Sequence, residues 1–280
     1  MATMAVVAVY ILIFCCIPAR KIGDVYPRVI SPQTSSLVIG TSRAAQGVNP
    51  EILNGQLSEC YPNQDLYNFA FHIDETTYNP SYSEAILKKL LPDSKNGLFI
   101  LTVDPWAFKK EKKIIGELDL HSVSTNPNIE FLLRFFDRTW ISPVPTNYYI
   151  NDAGRTIVTY KRFTSDAAAN MLSVYRKMAD NYAYSPESER EIISLVQRLQ
   201  PRGDIYMVRM PVSGEMVQLE DSIMPDFTAK MRNIAAQLDI SFFDFIRNPF
   251  KTNDGTHLSQ AEGDRFSTML ADSIRYAVQH

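Results

Sequence analysis

Residues 253–259, NDGTHLS, set an acid and a histidine three positions apart on a turn, just ahead of a long amphipathic run. Gly255 and Thr256 allow a tight turn in which the Asp254 carboxylate receives the imidazole N–H of His257. That is the orienting half of a nucleophile–base pair. The competing reading is a turn acid followed by a polar first-turn histidine, and a D-x-x-H match alone is too short to separate the two. A partner nucleophile stands far upstream. Ser42 follows the apolar run SSLVIG at 35–40, where Gly40 permits a tight exit and the next residues can open a helix. Amides at such a helix start would face the negative charge that develops on an attacked carbonyl, as an oxyanion hole requires. Taken alone, Ser42 reads equally well as a helix N-cap. Joined to Asp254 and His257 at one sheet edge, it completes a candidate Ser-His-Asp triad.

The elements that must position these residues follow from hydrophobic periodicity. Short apolar runs at 35–40, 65–71, 97–104, 204–212 and 240–245 predict five strands. Helical patterns at 81–91, 128–136, 165–183, 185–199, 216–238 and 259–278 separate or follow them, and Ser185-Pro186 supplies an N-cap and first-turn proline. Strands alternating with helices predict an α/β fold: a three-layer α/β/α sandwich around a mostly parallel five-stranded sheet. Residues 140–163, rich in Pro, Asn, Tyr and Thr, break the rhythm and predict an irregular insertion. Ligands of such sheets gather beyond the C-terminal strand ends. There the sequence delivers Ser42 and Arg43, then Asn68, Asp104 with Trp106, Arg209, and finally His257.

The opening block VIGTSRAAQGVNP and the late block DGTHLSQAEGDRF resemble the first and last blocks of the SGNH/GDSL hydrolase superfamily. LTVDPWAF and RMPVS are similar to segments of its envelope branch, which includes proteins of D-alanyl transfer and polysaccharide O-acetylation. The resemblance covers most of the chain from about Ser35 onward in block order, with only the two end blocks specific. It implies a flavodoxin-like SGNH domain over 35–280, with Ser42 as nucleophile, His257 as general base and Asp254 orienting His257. The family's second block offers a Gly and its third an Asn as oxyanion donors. Here the corresponding strand ends carry Asn68-Phe69-Ala70 and Val103-Asp104-Pro105. Asp104 is an acceptor when ionised, so Asn68, Arg43 and Arg209 become the candidates for the missing donor or for substrate binding.

Arg209 reads equally as an anion binder, a partner of Asp104 or a structural ion pair. His72 reads as a pocket residue or a packed polar tip, Trp106 and Phe108 as a substrate platform or core. His121 and His280 read as surface residues. No His, Cys, Asp or Glu spacing suits a metal, and no cofactor is expected.

Residues 1–19 hold no charged side chain, a length and composition that predict an N-terminal membrane anchor over 1–21, with a cleaved signal peptide as the alternative. A connector follows at 22–34. Arg20, Lys21 and Arg28 come after the apolar run, which by the positive-inside rule argues for a cytoplasmic domain, against the envelope placement that the resemblance implies. A net charge of −3 with dispersed charges excludes a broad nucleic-acid surface. Cys15 and Cys16 lie in the apolar run and Cys60 stands alone, so no disulfide framework is expected. The expectation is a membrane-anchored serine esterase or O-acyltransferase acting on an acylated envelope glycan or small ester, served by a membrane-bound acyl-donor protein if it transfers. The alternatives are an SGNH-fold binding or assembly protein without a full oxyanion hole, and a carbohydrate-binding accessory domain.

Overall fold

The computed structural model describes residues 7, 28–29, 31–62, 64–71, 78–110, 148–158 and 166–280. Five parallel strands form one sheet: β1 (Ser36–Ile39), β2 (Leu66–Asn68), β3 (Gly97–Thr102), β6 (Gly203–Arg209) and β7 (Ser241–Asp244), ordered β2-β1-β3-β6-β7. A separate antiparallel hairpin pairs β4 (Tyr148–Ile150) with β5 (Thr156–Val158). The helices are α1 (Ser42–Gly47), α2 (Pro50–Gln56), α3 (Pro80–Lys89), α4 (Ala167–Ala179), α5 (Pro186–Leu199), α6 (Gly214–Ile223), α7 (Phe227–Gln237) and α8 (Gln260–Gln279).

Strand alternation explains the layering. Leu37, Ile39, Phe99, Leu101, Ile205 and Met207 point to one face, where Tyr82 and Ile86 of α3, Ile192 and Leu195 of α5 and Met231 of α7 cover them. The intervening Val38, Leu98, Ile100, Tyr206 and Val208 point to the other, under Ala44 of α1, Leu53 of α2, and Phe266 and Leu270 of α8. Both faces are apolar because both are covered, as parallel sheets require. The chain runs from β1 outward to β2 and then back across to β3, so the strand order reverses beside β1 and leaves a crevice beyond the C-terminal ends of β1 and β3. A third apolar cluster of Trp106, Tyr175, Val212, Met216 and Ile246 lies past the strand ends and is covered by α4 and α6.

Two expectations change. The pattern over 216–238 is two helices, because Pro225 has no N–H to donate and keeps Met224 out of the helical region (φ −153°, ψ 76°). Within the expected irregular insertion, residues 148–158 form the β4–β5 hairpin. Its turn covers the outer edge of the sheet, since the Asn68 amide donates to Ala153 O at 2.8 Å. The expected helix at 128–136, most of the apolar N-terminal run, His72 and His121 lie outside the described residues. Among the described residues no helix is long and apolar enough to cross a membrane.

Candidate active site

Ser42 is the first residue of α1, one turn beyond β1. Gly40 makes the exit possible: its φ is +150°, and a Cβ there would sit 1.8 Å from Thr102 Oγ1 of the neighbouring strand. Thr41, the N-cap of α1, makes no side-chain cap bond. Its hydroxyl donates instead to Asp104 Oδ2 at 2.9 Å, so the amides at the start of α1 are left uncapped beside the Ser42 hydroxyl.

The acid–histidine loop is built by its own backbone. Asp254 Oδ1 accepts the Thr256 and His257 amides at 3.1 and 2.9 Å, and the Asn253 amide donates to His257 O at 2.8 Å. Gly255, at φ +87°, turns its carbonyl to the Ser213 amide, 2.9 Å away. Behind the loop, Ser259 caps α8 by accepting the Glu262 amide at 3.3 Å.

The three residues meet. His257 Nε2 lies 2.8 Å from Ser42 Oγ, and His257 Nδ1 lies 2.8 Å from Asp254 Oδ2, with all three side chains buried. Burial opposes the Asp254 charge, but the bond and charge of His257 and the two amides outweigh it and hold the carboxyl below its ordinary range. An ionised Asp254 places the imidazole proton on Nδ1 and leaves Nε2 free to accept from the serine.

The other candidates are engaged elsewhere. Asn68 donates both amide hydrogens, to Ala44 O at 2.9 Å and Val48 O at 3.1 Å, and its Oδ1 accepts from the Ala70 amide. It ties α1 to β2 and has no donor left for an oxyanion. Asp104 accepts from Thr41 and from the Ala107 amide, and burial pushes its pKa up. Arg209 does not reach Asp104. It pairs with Glu220 Oε2 at 3.1 Å, donates to Thr228 and lies over the Phe227 ring. Arg43 donates Nε–H to Thr256 Oγ1 at 3.0 Å, and its Nη2 lies 2.7 Å from Glu220 Oε1.

Glu220 was not legible as a site residue. Fully buried on α6, it takes Arg43, Arg209 and the Trp106 indole N–H, the last at 3.1 Å. The signal was an acid one turn after Met216 on the covered stripe of α6. Trp106 and Phe108 are core residues with no exposed surface, and His280 is exposed and stacked on Tyr276. Among the described residues no group of His, Cys, Asp and Glu could hold a metal ion.

No family model and no curated protein matches the chain. Among solved structures it is similar to a putative acylhydrolase from Bacteroides fragilis at 12% identity, covering 89% of this chain and 91% of that one with a TM-score of 0.41. A carbohydrate acetylesterase from Sinorhizobium meliloti gives 11%, 86%, 99% and 0.42 in the same order. A catalytic mutant of an acetylxylan esterase from Geobacillus stearothermophilus gives 12%, 89%, 96% and 0.45. At such scores the chemistry of the centre is read from its own geometry.

Proposed function

We propose that the chain is a serine ester hydrolase that works through an acyl-Ser42 intermediate. The observation that carries this reading is the continuous hydrogen-bonded path from Ser42 Oγ through His257 to Asp254, two bonds of 2.8 Å each. In the first step Ser42 Oγ bonds to the ester carbonyl carbon while His257 Nε2 takes the hydroxyl proton. The same proton passes to the departing alkoxide. Water then attacks the acyl-serine with His257 again as base, which returns the serine and releases the acid. The uncapped amides at the start of α1 support the developing oxyanion.

The finer reading is an acylated cell-envelope glycan as substrate, with water or a glycan hydroxyl as acceptor, and an N-terminal anchor over 1–21 holding the domain outside the cytoplasm. The support for anchoring is the uncharged apolar composition of residues 1–19.

The test is labelling of the purified protein by a serine-reactive fluorophosphonate beside Ser42→Ala and His257→Ala, together with hydrolysis of 4-nitrophenyl acetate. Stoichiometric labelling and turnover, lost in both variants, are the expected result. A folded protein that neither labels nor turns over would overturn the reading. One observation favours a second reading, that of a binding or assembly protein: Asn68 and Asp104 leave the second and third strand ends without a side-chain oxyanion donor. Loss of one such donor costs roughly a hundred- to a thousandfold in rate.

A further inference from the structure

Arg43 follows the candidate nucleophile directly, yet its guanidinium turns away from Ser42 and into the loop that carries the base. Nε–H is donated to Thr256 Oγ1 at 3.0 Å, and Thr256 is a fully buried residue whose amide is held by Asp254, immediately before His257. On its far side the guanidinium is held by charge, Nη2 lying 2.7 Å from Glu220 Oε1 without hydrogen-bond alignment, while Nη1 has no partner among the described residues. Glu220 is anchored in turn by Arg209 and Trp106. Arg43 is itself 97% buried by its 3% exposure, and the Glu220 and Asp104 charges outweigh the cost of that burial, so it stays charged.

Such an arrangement is poorly explained as stability alone. A buried arginine with an unsatisfied nitrogen is an expensive way to join a helix to a loop, and apolar residues of similar volume often do so at least as well. What a guanidinium adds is a planar charge: drawn to the Glu220 carboxylate at one end, it holds its Nε–H on the Thr256 hydroxyl at the other. The hydroxyl it places belongs to the residue next to His257.

We propose that Arg43 is a positioning residue of the reaction, acting through Thr256 to hold the Asp254–His257 pair in register with Ser42, with Glu220 as its buried anchor. The proposal rests on the reading of Ser42 and His257 as nucleophile and base. Arg43 touches no reacting atom. Its effect falls on the rate of attack by Ser42, because a base displaced by about an ångström can cost on the order of a hundredfold.

The experiment compares the full chain with Thr256→Val, which removes only the hydroxyl, and with Arg43→Lys, which keeps the charge and loses the fork. Three quantities are read: fluorophosphonate labelling rate, its pH profile, and the low-field proton resonance of the His257–Asp254 bond. The expected result in both variants is a labelling rate lower by about ten- to a hundredfold, a shifted pH profile and a displaced or broadened resonance. Wild-type labelling rate and an unmoved resonance in folded Thr256→Val would overturn the proposal, whatever the change in melting temperature. If Thr256→Val does not fold, Arg43→Lys decides by the same criteria. A wild-type protein inert to the probe would sink the esterase reading alone. In that case the resonance still decides whether Arg43 holds the Asp254–His257 pair: a shift in Arg43→Lys supports it, and no shift in that variant overturns it.

Discussion

Thr41 donates its hydroxyl to Asp104 Oδ2 at 2.9 Å, tying the ends of β1 and β3 together one residue before Ser42. The bond fixes a buried carboxyl just beyond the end of β3, and that carboxyl differs in kind from Asp254. Burial raises the Asp104 pKa above its ordinary 3.8, whereas His257 and two amides hold Asp254 below it despite burial. The two carboxyls must therefore drive stability with pH in opposite directions. For Asp104 the native state keeps its proton longer than the unfolded chain, so stability falls as pH rises from 3.8 through the raised value. For Asp254 the stabilising contribution is complete above 3.8 and disappears as pH falls through the depressed value. Asp104→Asn should gain on the wild type as pH rises from about 3 to 7, and Asp254→Asn should fall behind over the same interval. Melting temperatures across that range decide it. Parallel curves for the three proteins would show that neither carboxyl is shifted.

Glu220 offers a prediction about stability in place of pH. It has no exposed surface and serves two buried guanidinium groups, so its removal strands both. Glu220→Ala should cost about 3–5 kcal/mol, the usual penalty for breaking a buried ion pair from one side. Urea unfolding measures it. A loss under about 1 kcal/mol, the scale of an exposed pair, would mean that water reaches the cluster.

The hairpin gives a third test. Arg155, the residue before β5, is 2% exposed, and it donates to Gln46 O near the end of α1, to Gln260 O at the start of α8, and to Asp264 Oδ1 at 2.5 Å. It thus clamps the helix that carries Ser42 against the helix that follows His257. Arg155→Ala takes the donor from two carbonyls and leaves Asp264 Oδ1 to the Asn49 side-chain amide, at about 1.5–3 kcal/mol for each hydrogen bond to the charged group before water replaces part of it. A lowered midpoint in urea together with slower fluorophosphonate labelling is expected. Labelling at the wild-type rate in the folded variant would limit Arg155 to stability.

The parts of this fold that were legible in the sequence are those with a local signature. The five sheet strands lie on their apolar runs, β6 starting one residue early at Gly203, because strands covered on both faces, such as β1 and β3, are largely apolar. The meeting of Ser42 with Asp254 and His257 was legible because strand ends converge at one edge of a parallel sheet. The donors and acceptors around them were not. Whether Asn68 faces the crevice or the carbonyls of Ala44 and Val48 depends on how α1 lies over β2, and nothing within a few residues of Asn68 records that. Glu220 was hidden for the same reason, as its partners come from β6, α1 and the turn after β3. The split between α6 and α7 was there to be read in Pro225 and was overridden by the apolar periodicity on either side.

Two glycines test whether the Ser42 turn is as constrained as its geometry implies. At Gly40 the φ of +150° is one that side chains rarely adopt, and a new Cβ would meet Thr102 Oγ1 at 1.8 Å and Thr102 O at 3.2 Å. Backbone strain of this kind alone costs about 1–3 kcal/mol, and the contact must push β1 from β3 at the point where Ser42 emerges. Gly55 is the contrast, a glycine inside α2 whose Cβ would have nothing within 4 Å. There alanine removes backbone entropy from the unfolded chain and should stabilise by roughly 0.5–1 kcal/mol. Gly40→Ala should therefore lower the urea midpoint and the labelling rate together, while Gly55→Ala raises the midpoint and leaves labelling alone. If Gly40→Ala labelled at the wild-type rate, the exit from β1 would tolerate movement, and Ser42 could not depend on that turn for its aim at His257.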